Sequence, residues 1–165
     1  MKVVFETSLG KFVTELNEKK APKTVKNFLE YVKKGHYDKT IFHRVIDGFM
    51  VQAGGFEKNM VEKETQESVE NEANNGLKNT AYTIAMARTS EPHSASAQFF
   101  INLVNNDFLD HTSETLNGWG YAVFGKVIEG TDVIDDIAKV KTTTKGFHDD
   151  VPKKPVIIKK AYLIE

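Results

Sequence analysis

Apolar and polar residues alternate over several short stretches of the chain, and this period of two predicts β-strands. Residues 3–5 and 12–16 are the first two stretches, and Ser8-Leu9-Gly10 between them predicts a tight turn. A second hairpin is predicted for Ile41–Ala53, where β-branched and aromatic runs flank the turn pair Asp47-Gly48. Further strands are predicted over residues 83–87, 98–101, 121–127 and 156–164.

Two other stretches repeat their apolar residues every three to four positions, which is typical of an amphipathic helix. The first is expected to begin at Pro22, a residue favoured in the first helical turn, and to stop at Gly35. The second is expected to begin near Thr131-Asp132, because an aspartate suits the positive end of the helix dipole. The two apolar stripes consist of Val25, Phe28, Leu29 and Val32, and of Val133, Ile134, Ile137 and Val140.

Many short strands with two well-separated helices predict a mainly β fold, either an antiparallel barrel or a sandwich. A chain of 165 residues without internal repeats is expected to form a single domain over residues 1–165. Residues 56–78 are polar and lack helical periodicity, which predicts a long surface loop, and we hypothesise that this loop walls the functional site. Residues 141–155 are expected to be irregular.

The charged residues narrow the range of partners. The formal net charge is -1 and both signs are interspersed, so neither a nucleic acid nor a membrane surface is an expected partner. The sequence contains no cysteine, which excludes disulfides, thiol nucleophiles and thiolate metal sites. The first residues lead directly into a predicted strand and no apolar run reaches membrane-spanning length, so a cytoplasmic location is expected. The sequence shows no oligomerisation seam, so a monomer is expected.

The second predicted hairpin combines side chains of different chemistry. Along a strand of period two, Phe42, Arg44 and Ile46 are predicted to share one face. Met50 and Gln52 are predicted to share one face of the returning strand. The hairpin would then present a guanidinium, an amide and apolar groups together, although an exposed arginine on an ordinary strand is the simpler interpretation.

A second candidate surface lies on the strand over residues 98–101. Gln98 and Phe100 are predicted to face one side of the sheet, and Phe99 and Ile101 the other. The alternation alone does not decide which phenylalanine enters the core.

The five histidines and several serines suggest two other classes of chemistry. His148-Asp149-Asp150 is the best metal candidate, but a short charged loop explains it better and the chain lacks a His-x-x-x-His pair. Ser94 or Ser96 beside His93 could support acyl transfer, yet the Gly-x-Ser-x-Gly motif is missing. The sequence therefore predicts neither a metal site nor a hydrolytic site.

Three ordered blocks of the sequence resemble the cyclophilins, a family of peptidyl-prolyl cis/trans isomerases. The first block is Phe42-His43-Arg44-Val45-Ile46, with Gly48-Phe49-Met50-Val51-Gln52 and Gly54-Gly55. The other two contain Ala85-Met86-Ala87-Arg88 with Ser96-Ala97-Gln98-Phe99-Phe100-Ile101-Asn102, and Tyr121-Ala122-Val123-Phe124-Gly125-Lys126-Val127. Residues 71–77 and 118–121 resemble the short bacterial members most. The resemblance implies a closed eight-stranded antiparallel barrel, capped by two α-helices, with its site on the outer surface.

The resemblance also implies which residues act on the substrate, a proline-containing peptide or a folding protein. Arg44, Phe49 and Gln52 would be catalytic, with the Arg44 guanidinium donating to the prolyl nitrogen of the twisted amide. The substrate would be bound by Met50, Ala87, Arg88, Gln98, Phe100, Phe108, Leu109 and Tyr121. Arg88 would act through its backbone, and no cofactor is implied. Many eukaryotic relatives have tryptophan in place of Phe108 and histidine in place of Tyr121, so cyclosporin is expected to bind only weakly.

Two other functions and one geometric question stay open at this point. The same groove could bind proline segments without catalysis, as a binding module or chaperone, or a barrel of the lipocalin type could hold a small ligand inside. Strict alternation also places Phe49 opposite Met50 and Gln52, so Phe49 can line the same pocket only if its strand begins irregularly.

Overall fold

The computed structural model describes residues 1–164, and its main feature is one eight-stranded antiparallel sheet. The sheet has the strand order β10-β1-β2-β7-β5-β6-β4-β3. Its strands are β1 (Lys2–Thr7), β2 (Gly10–Leu16), β3 (Thr40–Ile46), β4 (Met50–Glu57), β5 (Thr83–Met86), β6 (Phe99–Asn102), β7 (Val123–Glu129) and β10 (Ile158–Ile164). The two helices are α1 (Pro22–Lys33) and α2 (Thr131–Ala138). The mainly β fold and both helices are therefore confirmed.

The sheet curls strongly but is not closed by a continuous ladder, so the predicted closed barrel is a slight overstatement. Strands β3 and β10 form its two edges. They are joined through the main chain by hydrogen bonds from the Lys39 N–H to the Ile158 oxygen, at 2.7 Å, and from the Phe42 N–H to the Val156 oxygen, at 3.0 Å.

The interior of the curled sheet is filled by aromatic side chains. Phe5, Phe12, Phe28 and Phe99 are completely buried. The rings of Phe5 and Phe12 stack with centroids 4.9 Å apart, and those of Phe28 and Phe99 meet edge to face at 5.7 Å. Such a packed interior leaves no room for the small ligand that a lipocalin-type barrel would hold.

A bulge in β3 corrects one prediction. Phe42 pairs with Ala53 and Arg44 with Gln52, so two adjacent residues of β4 face three residues of β3 and His43 is the extra residue. The alternation is interrupted there, and Phe42 enters the core while Arg44 is exposed. The prediction that Phe42 and Arg44 share a face is therefore wrong.

Residues 141–155 are also more regular than predicted. They contain a hairpin of β8 (Thr142–Lys145) and β9 (His148–Pro152), which forms a separate two-stranded sheet. Three consecutive β-branched threonines begin β8, and Gly146 in the turn has a φ of 60°, a conformation that favours glycine. The expectation of an irregular segment is therefore wrong. The predicted loop over residues 56–78 begins two residues later than expected, because Phe56 and Glu57 still belong to β4, and it contains one 3-10 helix, Ala73–Asn75.

The N-terminus of α1 is capped by a residue distant in sequence. Ala21 precedes the helix and has no side-chain acceptor for the free N–H groups of the first turn. Glu72, from the long loop, accepts hydrogen bonds from the N–H of Lys23 at 3.3 Å and from the N–H and hydroxyl of Thr24 at 2.7 Å each. The carboxylate thus binds the loop to the helix at its positive end.

Substituting Glu72→Ala is expected to lower the free energy of unfolding by about 1 kcal/mol, the usual effect of losing a helix cap. Glu72→Gln keeps one acceptor oxygen and should lose less. Urea denaturation followed by circular dichroism measures both, with Glu67→Ala as the control because Glu67 is an exposed carboxylate of the same loop. An equal loss in the Glu67 variant would contradict the capping role.

Candidate functional site

Strand pairing places a row of five residues across the outer face of the sheet. Arg44 on β3 pairs with Gln52 on β4, and Gln52 pairs with Phe100 on β6. The row continues from Phe100 to Ala85 on β5 and from Ala85 to Val123 on β7. A cation, an amide and an aromatic ring from separate parts of the sequence are therefore neighbours because of the register alone.

An apolar cluster covers this outer face and is distinct from the barrel core. Its buried members are Met50, Ala85, Phe100, Leu109 and Val123. Phe99 belongs instead to the main core inside the sheet. The structure thus decides the open choice between the two phenylalanines, with Phe99 inside and Phe100 on the outer face.

Phe49 lies in the turn between β3 and β4, one residue before β4 begins at Met50. It therefore does not follow the alternation of the strand, which is how Phe49 and Met50 can line the same cavity. Its ring stacks on the ring of Phe108 with centroids 5.7 Å apart. Phe108 is 75% exposed, so the pair forms an aromatic rim rather than core.

The row, the apolar cluster and the turn together form a cavity of about 180 Å³. It is lined by Arg44, Phe49, Met50, Gln52, Ala87, Arg88, Phe100, Leu109 and Tyr121. All of these are predicted site residues, which the fold brings together from β3, β4, β6 and three loops. Of the remaining two, Phe108 lies at the rim against Phe49 and Gln98 lines the neighbouring cavity.

That neighbouring cavity, of about 200 Å³, extends the groove. Gln52, Ala87 and Arg88 line both cavities and form the ridge between them. The other lining residues are Glu62, Thr89, Ser94, Ser96 and Gln98. Glu62 belongs to the loop over residues 56–78, so this loop does contribute to the groove wall; no sequence motif distinguished Glu62 from its neighbours.

A larger cavity, of about 480 Å³, lies elsewhere on the molecule. Its lining includes Met1, Glu15, Leu77 and Lys126, and it shares no residue with either cavity of the groove. Size alone would therefore select a different site, whereas the predicted chemistry converges on the smaller one.

Two glutamine side chains meet at the ridge. Nε2 of Gln52 donates to Oε1 of Gln98 at 2.9 Å. A Cβ atom on Gly55 would lie 2.4 Å from Nε2 of Gln98, so the glycine leaves the space that Gln98 occupies. The second glycine of the Gly54-Gly55 pair thus has a local steric reason.

The guanidinium of Arg44 is available to a ligand. Its side chain is exposed at the mouth of the cavity. Residues 1–164 form two side-chain ion pairs, Lys23–Glu70 and Lys139–Asp47, and neither involves Arg44. A cation beside apolar walls, without a carboxylate partner, can donate hydrogen bonds to a substrate.

Arg88 is held differently. Its Nε and Nη2 donate to the Gly120 oxygen at 3.1 and 2.9 Å, and its Nη1 donates to the Thr89 oxygen at 2.8 Å. The guanidinium also lies 4.5 Å from the ring centroid of Tyr121, a cation–π contact. The side chain of Arg88 therefore supports Tyr121, a contact that the sequence did not predict.

The single tryptophan lies behind this wall of the groove. Trp119 is only 9% exposed and does not line the cavity. Its ring meets the rings of His93 and His111 edge to face, with centroids 4.9 and 5.1 Å away. Nδ1 of His111 also lies 2.9 Å from the Trp119 oxygen.

His43, the bulge residue next to Arg44, is buried in an aromatic setting. Its ring centroid lies 4.4 Å from that of Phe56, and the His148 ring packs against both, 5.0 Å from Phe56 and 6.4 Å from His43. Nδ1 of His43 has no hydrogen-bond partner. Burial lowers the pKa of His43 to about 4, with a smaller contribution from the nearby His148.

Clusters of metal-ligating side chains and membrane-spanning helices are two further features to consider in the part of the chain that the structure describes. Within residues 1–164, no three histidine, aspartate or glutamate side chains lie close enough together to hold a metal ion. Neither helix in this part of the chain is long and apolar enough to cross a membrane.

Comparisons with known proteins agree on one family. The model of the cyclophilin type peptidyl-prolyl cis-trans isomerases matches residues 2–163. The chain is 59% identical to peptidyl-prolyl cis-trans isomerase cyp18 of Streptomyces antibioticus, over 98% of each chain. It is 57% identical to peptidyl-prolyl cis-trans isomerase B of Escherichia coli, over 99% of each. A crystal structure of a Cryptosporidium parvum cyclophilin type isomerase, in the presence of the dipeptide Ala-Pro, matches with a TM-score of 0.77 and 26% identity, covering 100% of this chain and 99% of that one.

Proposed function

The chain belongs to the cyclophilin type peptidyl-prolyl cis-trans isomerases, and we propose that it accelerates rotation about X-Pro bonds in the cavity of about 180 Å³ that Arg44 borders. In this proposal the proline ring lies on Met50, Phe100 and Leu109. The single observation that supports it best is the register of the sheet, which places Arg44 beside Gln52 and Phe100.

Rotation about an X-Pro bond is slow because resonance in the amide must be broken, with a barrier of about 18–20 kcal/mol. When the bond is twisted, the lone pair returns to the prolyl nitrogen, which can then accept a hydrogen bond. A donor aimed at this nitrogen stabilises the twisted amide more than either planar isomer, which lowers the barrier. The Arg44 guanidinium is the donor that we assign to this role, and the reaction needs no nucleophile, metal or cofactor.

The ridge between the two cavities suggests how the rest of a substrate binds. A peptide whose proline fills the smaller cavity would cross Gln52, Ala87 and Arg88 to reach the neighbouring cavity, where Gln98 lies. The residues on this path are mostly polar or small. We therefore propose that the protein recognises the peptide mainly through contacts with the peptide main chain. The structural relative crystallised with Ala-Pro supports proline-containing segments as the ligand class.

The same reasoning extends to the natural substrates. We propose that proline-containing segments of unfolded or folding proteins are the natural substrates. We also propose that the groove binds cyclosporin only weakly, because Phe108 and Tyr121 stand where many eukaryotic relatives have tryptophan and histidine. The cytoplasmic location and the monomeric state that the sequence suggests stay predictions.

Proton–nitrogen NMR spectra recorded during titration with an Ala-Ala-Pro-Phe peptide test where the substrate binds. We expect the largest shift changes for the amides of Met50, Gln52, Arg88 and Phe100, together with faster cis–trans exchange of the peptide. The same peptide with alanine in place of proline is the matched control and should cause small changes. Changes centred on Glu15, Leu77 and Lys126, which line the larger cavity, would contradict the proposed site.

A further inference from the structure

Five residues of the proposed proline cavity lie outside the strands. Ala87 and Arg88 directly follow β5, whereas the other three lie in separate segments that the hydrogen bonds of the sheet do not place. Phe49 lies in the turn before β4, Leu109 ends the 3-10 helix Asp107–Leu109, and Tyr121 precedes β7. The cavity has its shape only while these three residues are held against the strands. Other contacts must therefore fix their positions.

Asn102 lies beneath these segments. It ends β6 two positions after Phe100, so its side chain points to the same outer face, yet it is completely buried. Its Nδ2 donates to Oδ1 of Asn79 and to Oγ1 of Thr83, each at 3.0 Å. Its Oδ1 accepts a hydrogen bond from Nδ2 of Asn106 at 2.8 Å. One buried amide thus joins three separate segments of the chain.

The two neighbouring asparagines bind the main chain of the three cavity residues. Nδ2 of Asn106 donates to the Phe49 oxygen at 3.0 Å. Nδ2 of Asn79 donates to the Leu109 oxygen at 3.2 Å and to the Tyr121 oxygen at 3.3 Å. Phe49, Leu109 and Tyr121 are therefore each bonded to this cluster through the backbone.

The cluster requires amides at its centre. Asn79, Asn102 and Asn106 are 1%, 0% and 3% exposed, so water cannot replace a lost partner without entering the protein. Asn102 acts as donor and acceptor at once, which neither a carboxylate nor an apolar side chain can do. Removing its side chain leaves polar groups of Asn79 and Asn106 unpaired in the interior, a costly situation that favours rearrangement of the loops.

We propose that Asn102 is a positioning residue for the substrate cavity, and that it acts through Asn79 and Asn106 to hold Phe49, Leu109 and Tyr121 in place. The inference rests on the function proposed above for this cavity. Asn102 does not line the cavity and is expected to make no contact with the substrate.

The proposal has a kinetic signature. In this proposal Phe49, Leu109 and Tyr121 form walls of the cavity that enclose the substrate in both its planar and its twisted state, so their displacement weakens binding of both states. KM then rises while kcat changes little, since the Arg44 donor on β3 stays in place. A merely structural role would lower the folded fraction of the protein, which reduces the apparent kcat and leaves KM unchanged.

The test measures exchange rates of the Ala-Ala-Pro-Phe peptide over a range of peptide concentrations for wild type, Asn102→Ala and Asn106→Ala. Both variants should raise KM about tenfold, the effect of one unsatisfied buried amide, with kcat within about twofold of wild type. Thr14→Val is the matched control because Thr14 is completely buried and its hydroxyl donates to the Val3 oxygen at 3.2 Å, away from the groove. Its KM should equal that of wild type.

An unchanged KM in both asparagine variants, or a KM that rises equally in Thr14→Val, would overturn the inference. If Asn102→Ala does not fold, Asn106→Ala decides, because it removes only the links to Phe49 and Asn102. If the wild-type protein neither binds the peptide at the cavity nor accelerates its exchange, the proposed function itself is overturned. Failure of the proposed function is thereby distinct from failure of the inference about Asn102.

Discussion

The Arg44→Ala variant is expected to lower kcat by about 100- to 1,000-fold, the usual loss when one donor to a transition state is removed. Affinity for the peptide should change by less than about threefold, because the apolar walls that bind the proline ring are intact. The difference arises because the prolyl nitrogen accepts a hydrogen bond only in the twisted state. NMR exchange spectroscopy of an Ala-Pro-Phe peptide gives the rate, and the same titration gives the affinity.

Two further variants sharpen this test. Arg44→Lys keeps the charge but loses the planar guanidinium, so its rate should lie between those of wild type and Arg44→Ala. Arg88→Ala removes the other arginine of the cavity, whose donors are already bonded to main-chain oxygens, and should cost much less. If Arg44→Ala lowers rate and affinity in parallel, the groove is a proline-binding module and the catalytic assignment is wrong.

The free energy of unfolding is expected to fall by about 3 kcal/mol between pH 7 and pH 4 through His43 alone. The ordinary pKa of 6.5 applies to the unfolded chain, whereas burial lowers the pKa of His43 to about 4 in the folded protein. Between these two values only the unfolded chain binds the proton. Stability therefore decreases as the pH falls from about 6.5 to about 4 and levels off below.

Urea denaturation at several pH values, followed by circular dichroism, measures this dependence. His43→Gln cannot bind the proton, so its curve should be flatter than that of wild type over the same range. The free energy of unfolding of His43→Gln should still depend on pH to some extent, because burial also lowers the pKa of His36. Equal pH dependence in wild type and His43→Gln would show that His43 is not the group responsible.

Local patterns were sufficient to predict most of the architecture. The hairpin of β1 and β2 and the helix α1 follow from alternation, from the stripe that includes Val25 and Phe28, and from Pro22 and Gly35 at the ends. These signals act over a few residues, so they are visible in the sequence. The β8–β9 hairpin has a comparable local signal in the three threonines that begin β8.

The register between distant strands could not be predicted in the same way. The bulge at His43 depends on how β3 pairs with β4, and alternation within β3 alone gives the wrong face for Phe42. Likewise, Phe99 and Phe100 are equivalent by pattern, and only the pairing of Gln52 with Phe100 separates core from site. Family resemblance predicts the candidate site residues because it encodes this register indirectly.

Side-chain contacts between distant segments could be predicted neither from local sequence patterns nor from the family resemblance. Glu72 caps a helix whose first residue lies 50 positions earlier, and nothing near Pro22 indicates this partner. Asn106 reads as an ordinary loop residue, since asparagine is common in turns. Its role depends on Asn79 and Asn102, which are unremarkable in their own local sequence.

The packing of Trp119 between His93 and His111 gives the protein a built-in optical signal. Indole emission depends on the polarity around the ring and on the side chains packed against it. Since this is the only tryptophan in the sequence, all such emission comes from the back of the groove wall that carries Tyr121. Intrinsic fluorescence of the unlabelled protein therefore reports directly on whether the segments around His93 and His111 stay packed together.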